Sequence, residues 1–228
     1  MYSTKDNLQV LHEDNHIIIV NKRAGDIVQG DKTGDKPLSD IVKEYIKTKY
    51  NKPGAVFLGT VHRLDRPTSG VVIYARTSKA LERLNKMLRE KTIQKTYWAI
   101  VNNQPKKTID TLINFLKKNP KNNKSTAYPK EINGSKKAIL HYKVLKKLDN
   151  YSLLEIDLET GRHHQIRVQL SNIGSIIKGD LKYGAKRSNK DGSIHLHARK
   201  IEFTHPVNKD LIKIIAPTPS DSIWDACL

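Results

Sequence analysis

Residues 138–160, AILHYKVLKKLDNYSLLEIDLET, hold two runs of alternating character, Ala138 to Lys146 and Ser152 to Thr160, on either side of an Asp149-Asn150 turn. So short a connection makes the two runs antiparallel neighbours, because a parallel pair needs a crossover of a dozen or more residues. Outward from this hairpin the same habit recurs. Near the N-terminus Leu8 to His12 and His16 to Asn21 read as two short strands joined by Glu13-Asp14-Asn15, with β-branched residues dominating HIIIV. Val71 to Ala75, Thr92 to Val101, Ile194 to Phe203 and Leu211 to Ala216 add further strands. Three helices are expected. One runs from Pro37 to Tyr50, with Leu38, Ile41, Val42, Tyr45 and Ile46 at helical spacing and Pro37 at its first position. A second runs from Ser78, as its cap, to Lys91, and a third from His163 to Asn172. Strands outnumber helices and do not alternate regularly with them, so the expected class is α+β with a mixed, largely antiparallel sheet flanked by helices rather than a doubly wound sheet.

The whole chain of 228 residues is expected to form one catalytic domain, since no internal repeat and no long linker interrupts it. No stretch approaches the roughly 18–20 uncharged apolar residues of a membrane span, and the start, MYSTKDNLQVLHED, lacks the apolar run of a secretory signal. The single Cys227 excludes an intramolecular disulfide scaffold and carries no sign of a catalytic thiol. These readings place the protein in the cytoplasm. Lys and Arg number 41 against 23 acidic residues, a formal net charge of +18. An excess of that size asks for a polyanion, because each neutralised phosphate releases counterions and steers association. A solubilising lysine coat would give the same count, but Arg63, Arg66, Arg76, Arg162 and Arg167 cluster in or beside two segments where a guanidinium fork can grip carboxylate or phosphate. The run Lys117 to Lys130, KKNPKNNKSTAYPK, has no periodicity and is the expected mobile basic loop.

Two motifs carry possible chemistry. In HRLDRPTSG, His62 to Gly70, Asp65 lies between Arg63 and Arg66 and the chain turns through Pro, Thr, Ser and Gly into an apolar strand. Neighbouring positive charge favours an ionised carboxylate, available as nucleophile or base, although a surface Asp–Arg pair in a turn has the same composition. In TGRHHQIR, Thr160 to Arg167, Gly161 stands at the expected helix start with Arg162 and Arg167 five residues apart. That arrangement suits an anion, or is simply a solvated helix start. His163, His164, His195, His197 and His205 raise the question of metal, but with no Cys pair, no HExxH and no acidic cluster nearby a metal site is not expected.

Together these runs resemble RNA pseudouridine synthases of the RluA type. The resemblance is carried by HRLDRPTSGVVIYART (62–77), KTYWAIV (95–101), TGRHHQIRVQLSNIGSIIKGDLKYGA (160–185) and IHLHARKIEFTHPV (194–207), with HEDNHIIIVNKRAG (12–25) similar to the family's first hairpin. It implies isomerisation of uridine to pseudouridine in structured RNA, ribosomal or transfer, with no cofactor and no metal. Residue by residue, Asp65 matches the nucleophilic aspartate, Arg167 the arginine that pairs with it, and Tyr97 the active-site tyrosine that stacks on uracil. An unperturbed phenol titrates near ~10, so stacking is the better supported half of that tyrosine's role. Arg63 matches the arginine that fills the gap left by the flipped nucleotide, while Lys95 and Arg162 are weaker matches, to contacts with phosphate or to active-site support. Arg23 departs from the pattern, standing in NKRAG where the family usually has proline.

The first expected strand begins at Leu8, so no accessory N-terminal RNA-binding domain is expected, and substrate choice then falls to the basic loops. A monomer is expected, on a soluble path that involves no membrane. Two other readings compete: a metal-free ribonuclease using His62, His163 or His164, and a non-catalytic RNA-binding or ribosome-assembly protein on the same fold.

Overall fold

The computed structural model describes residues 2–31 and 33–228. Two compact units emerge, one of residues 1–95 with 198–219 and one of residues 96–197 with 220–228. The first opens with the hairpin β1 (Val10–Glu13) and β2 (Ile17–Lys22). Its turn is made by Asp14, whose carboxylate accepts the backbone N–H groups of His16 and Ile17 at 2.6 and 2.9 Å, and a short polar side chain closing a turn on its own backbone is what the Glu-Asp-Asn run foretold. The helix α1 (Leu38–Lys49) follows, flanked by Pro37 and Tyr50, one residue shorter at each end than its apolar spacing predicts. Next come the two-residue strand β3 (Gly59–Thr60) and β4 (Ser69–Ala75), and then α2 (Ser78–Arg89). The cap of α2 is Thr77 rather than Ser78: the Thr77 hydroxyl accepts from Ala80 N at 3.2 Å, the usual cap geometry of a hydroxyl bonding the third residue on.

The chain leaves the first unit along β5 (Gln94–Asn102), and the second unit is built mostly of long strands. They are β6 (Ile109–Asn119), β7 (Lys124–Tyr128), β8 (Lys136–Lys147) and β9 (Tyr151–Leu158). Within this unit they lie in the order β5-β9-β8-β6-β7, every neighbouring pair antiparallel. The β8–β9 hairpin read from residues 138–160 is present, with a register shift between Val144 and Lys146 and its turn closed by Leu148 N donating to Tyr151 O at 2.8 Å. The expected loop 117–130 is instead the end of β6, a turn, and β7, paired from Phe115↔Tyr128 to Asn119↔Lys124. Its Lys-Asn-Pro composition hid the strand, because alternation fails where the inward face is so little apolar; within 117–130 only Ser125 is buried, with Ala127 partly buried against Leu116. Helix α3 (Gln165–Asn172) and a 3-10 turn (Leu181–Tyr183) pack on this sheet, where Leu116, Ala138, Val168 and Tyr183 form a small core.

Strand β10 (Leu196–Thr204) brings the chain back to the first unit at Ala198. There the strand order is β1-β2-β4-β10, with β3 on β4 and β11 (Leu211–Ile215) on β10. β2 and β4 are buried along their full length, and Ile17, Ile19, Val71, Ile73 and Phe203 pack with Ala80 and Leu84 of α2. Each such side chain contributes about 1.5–3 kcal/mol relative to leaving it in water. The last helix, α4 (Ser222–Cys227), belongs to the second unit, is capped by Asp221, and sets Trp224 and Cys227 on Ile100 and Leu153. The α+β class with a largely antiparallel sheet is what the strand-rich, non-alternating sequence requires.

Candidate active site

In the first unit, the segment between β3 and β4 carries Arg63, Asp65 and Arg66. Its backbone closes at Thr68 N, which donates to Asp65 O at 3.0 Å, so that Arg66 and Pro67 form the corner and Asp65 stands half-buried at its entry. What holds this corner is Lys22, the last residue of β2 and 1% exposed. Its Nζ donates to the carbonyls of Arg23 (2.9 Å), Arg66 (3.1 Å) and Thr68 (2.8 Å), which takes up all three hydrogens of an ammonium. Burial pulls the Lys22 pKa from 10.5 down to about 7, while the charges of Asp26 and Asp65 act in the opposite direction. Asp65 therefore has a buried cation close enough to feel. The sequence reading missed Lys22, although a lysine so soon after the apolar run IIIV is a recognisable signal.

Gly25 N donates to Arg66 O at 2.8 Å, which pins the same corner from the segment after β2. At the other end Gly70 has φ +115, and a Cβ there would lie 2.4 Å from Ala198 O and 2.5 Å from Ala198 N. Only glycine lets β4 and β10 approach so closely just after the corner. Arg66 is taken up in an ion pair with Asp35 at 2.7 Å, and Arg63 is exposed. His62, just before the corner, accepts the Ile73 N–H on Nε2 at 3.1 Å, which leaves its own hydrogen on Nδ1. Burial, helped by the Lys95 cation, depresses its pKa from 6.5 to about 3, so it is neutral at ordinary pH. Lys95 is itself lowered by burial.

The second unit carries Tyr97, buried on β5, and Arg167, buried on α3. The helix starts at Gln165 rather than at His163, because His164 sits in the left-handed region (φ 55) and cannot continue a right-handed turn. Gly161 is therefore not at the helix start. The local end is satisfied instead by Gln165, whose Oε1 accepts from Arg162 N at 2.9 Å and from the Thr160 hydroxyl at 2.8 Å. Arg162 and Arg167, either of which could have gripped an anion at the expected helix start, have different surroundings. Arg162 is exposed and donates through Nε to Lys137 O at 3.0 Å, whereas Arg167 makes a buried two-point ion pair with Asp180, Nε to Oδ2 at 2.7 Å and Nη2 to Oδ1 at 2.8 Å. Asp180 was not singled out in the sequence, although GDLKYG, with a carboxylate between two glycines, lay within the resembling run.

The histidines have other work among the described residues. Rings of His195 and His197 lie 5.4 and 6.0 Å from Trp224, and His195 is bonded to Asn189 and Asp221. His163 and His164 stack at 3.8 Å and bond to Ser125 and Tyr183 respectively. No group of three or more His, Cys, Asp or Glu side chains is disposed to hold a metal ion among the described residues.

Residues 16–172 match the family described as RNA pseudouridylate synthase, a span that includes Asp65, Tyr97 and Arg167. The chain belongs to the RNA pseudouridine synthase family. Among its relatives, an uncharacterized RNA pseudouridine synthase of Synechocystis is 35% identical over 217 residues, covering 93% of this chain and 66% of the relative. The ribosomal large subunit pseudouridine synthase C of Vibrio parahaemolyticus is also 35% identical over 217 residues, covering 92% of this chain and 66% of the relative. Synthase D of Zymomonas mobilis is 32% identical over 225 residues, covering 94% and 70%. The chain thus spans about two thirds of the length of these curated synthases. The fold matches a solved human RNA pseudouridylate synthase domain containing 4 with TM-score 0.78 at 23% identity, covering 93% of this chain and 89% of that one. No described helix is long and apolar enough to cross a membrane.

Proposed function

We propose that this chain converts uridine to pseudouridine in structured RNA, ribosomal or transfer, as a monomeric cytoplasmic enzyme with all 228 residues acting as one catalytic domain. The observation that carries the reading is the family match over residues 16–172, which takes in the carboxylate, the tyrosine and the arginine together. The reaction breaks the bond between uracil N1 and ribose C1′, turns the base, joins C5 to C1′, and releases the C5 proton to solvent while N1 takes one up. Reactant and product have the same atoms, so no co-substrate has to be supplied, and the reading includes neither metal nor cofactor.

Asp65 is the nucleophile, attacking either the ribose or the base; in both cases an anionic carboxylate is required. The buried Lys22 side chain holds the corner still through the carbonyls of Arg66 and Thr68. Tyr97 gives the uracil a ring to stack on, and Arg167 is the arginine that the resemblance pairs with the carboxylate. Arg63, exposed on the same loop as Asp65, fills the space left by the extruded nucleotide, an extrusion that costs a few kcal/mol. Arg162, Lys95 and the lysines of the β6–β7 hairpin meet phosphate. The ribosomal large subunit is named for relatives such as synthases C and D, which puts ribosomal RNA first among the RNAs to examine.

The test is carbodiimide labelling and primer extension across total RNA from cells lacking the gene, complemented with wild type or with Asp65→Asn. One or a few sites should vanish on deletion and return only with wild type. Sites restored equally by Asp65→Asn would make the protein a non-catalytic RNA binder, and shortened RNA on incubation with purified protein would make it a nuclease.

A further inference from the structure

The turn that follows α3 lies outside the residues assigned a role so far, yet it encloses the Arg167 guanidinium on two sides. Asp180 accepts from Nε and Nη2 at 2.7 and 2.8 Å, with side chains only 6% and 1% exposed for Arg167 and Asp180. A two-point grip on the Nε edge fixes the plane of a guanidinium, and the donors outside that grip, on the Nη1 and Nη2 edge, then point in one direction. The second side is the face: the Tyr183 ring centroid is 5.1 Å from the guanidinium carbon.

Neither partner is free to drift. The Asp180 carbonyl accepts from Tyr183 N (3.1 Å) and Ala185 N (3.0 Å), and Asp180 N donates to Ile177 O at 3.1 Å. Gly179, just before it, has φ +87, and a Cβ there would meet Ser193 O at 2.8 Å. The Tyr183 hydroxyl accepts the Ser125 N–H at 2.8 Å and shares a hydrogen bond of 2.9 Å with His164 Nδ1. Ser125 lies on β7, in the basic hairpin, and its hydroxyl also donates to His163 O at 2.8 Å. Lys124 Nζ stands 5.2 Å from the centroid of the same ring, and Lys182 Nζ lies 3.4 and 3.3 Å from the carbonyls of Asn122 and Asn123 at the hairpin's tip. One short turn therefore fastens the basic hairpin and grips the arginine.

We propose that Asp180 and Tyr183 are positioning residues that aim Arg167 in the isomerisation, Asp180 by its edge and Tyr183 by its face, and that Tyr183 links this aim to the hairpin that meets RNA. The assignment rests on the synthase reading above. Displacing a reactive or orienting group by about 1 Å costs on the order of 10²-fold in rate, and loss of an orienting partner costs 10–100-fold. Binding of RNA, carried by many exposed lysines, does not pass through a buried pair.

The experiment measures tritium release from RNA labelled at uridine C5, made from cells lacking the gene, under single-turnover conditions with enzyme in excess. Maximal rate and half-saturating enzyme concentration are read separately, beside near-UV circular dichroism and melting temperature. Asp180→Asn is expected to lower the maximal rate about 100-fold with half-saturation within about twofold, and Asp180→Glu to regain part of the loss. Tyr183→Leu should lower the rate about 10-fold, and Tyr183→Phe, which keeps the ring and loses both hydroxyl bonds, by a smaller factor.

Because a lone Asp180→Asn leaves a cation buried, Arg167→Gln with Asp180→Asn is measured as well, replacing the ion pair by two amides. If Asp180 acts through Arg167, this double variant is no slower than Arg167→Gln alone. A folded Asp180→Asn at wild-type rate overturns the assignment, as does a double variant whose loss is the product of the single losses. A wild-type chain that releases no tritium from this RNA, while synthases in wild-type extract do, overturns the synthase reading and this assignment with it.

Discussion

The corner at Asp65 and the stretch from Arg162 to Tyr183 are both arginine-rich and both aim one charged side chain, but they do it by different means. At the first, a buried lysine holds main-chain carbonyls and the carboxylate is positioned because its backbone cannot move. At the second, a buried carboxylate holds the guanidinium itself, and the backbone of α3 serves mainly to bury it. The difference follows from side-chain length. Aspartate has two rotatable bonds, so fixing its Cα nearly fixes its oxygens, whereas arginine sweeps a large volume unless its planar head is clamped. The two anchors, Lys22 and Asp180, are each about 1% exposed, and neither touches solvent enough to be a surface ion pair of little consequence.

The largest expected effect falls on the aimed group rather than its anchor. Asp65→Asn should lower single-turnover isomerisation by roughly 10⁴-fold or more while leaving RNA affinity and melting temperature close to wild type, as removal of a nucleophile does elsewhere. Retained activity would show that the corner is a structural turn. Next is Lys22→Met, which leaves the carbonyls of Arg66 and Thr68 without their donor; a loss of about 3 kcal/mol in urea unfolding is expected. The pH dependence of that difference sharpens the point. Lys22 titrates near 7 when folded against 10.5 when unfolded, so between these values the unfolded chain binds more protons. Wild type should therefore gain stability relative to Lys22→Met as pH rises from 7 to 10. A pH-independent difference would mean that the burial is relieved by water.

Smaller effects separate binding from aiming. Replacing Lys117, Lys118 and Lys121 together by Ala should weaken RNA binding about 10-fold at moderate salt and reduce the slope of log affinity against log salt by about 2–3, with the maximal rate little changed. An unchanged slope would remove the hairpin from the RNA-facing surface. The least effect is expected from His62→Gln, whose amide can still accept the Ile73 N–H. His62 binds its proton below about 3 when folded and near 6.5 when unfolded, so wild type loses stability as pH falls through that window. Acid unfolding of the variant should be shallower there, and an identical acid limb would show the imidazole to be solvated.

Where sequence and structure part company, a particular physical cause can be named. The β8–β9 hairpin, α1 and α2 were legible because each has one buried face, which writes a period of two or of about four into the residues. β7 was not, since Lys124–Tyr128 has Ser125 as its one fully buried side chain, held by hydrogen bonds to Tyr183 and His163 rather than by burial of apolar area. The start of α3 moved to Gln165 because His164 adopts a left-handed conformation, a cost of about 1–2 kcal/mol that its stacking on His163 and its bond to Tyr183 offset, and no local propensity foretells it. The anchors Lys22 and Asp180 escaped notice for one reason: a buried charge has meaning only with its partners, which lie 44 and 46 residues away for Lys22 and 13 for Asp180.

The sequence by itself determined the strand-rich α+β class and the charge that calls for a polyanion, written in local period and in composition, and, through the family resemblance of its contiguous motifs, Asp65, Tyr97 and Arg167 as candidates. Only the tertiary structure decided which charges are buried and what they hold. It turned a lysine into the clasp of the Asp65 corner, an aspartate into the grip on Arg167, and an apparent basic loop into a hairpin fastened at Tyr183. Such assignments depend on desolvation and on hydrogen-bond partners brought together by folding, quantities that no stretch of chain contains alone.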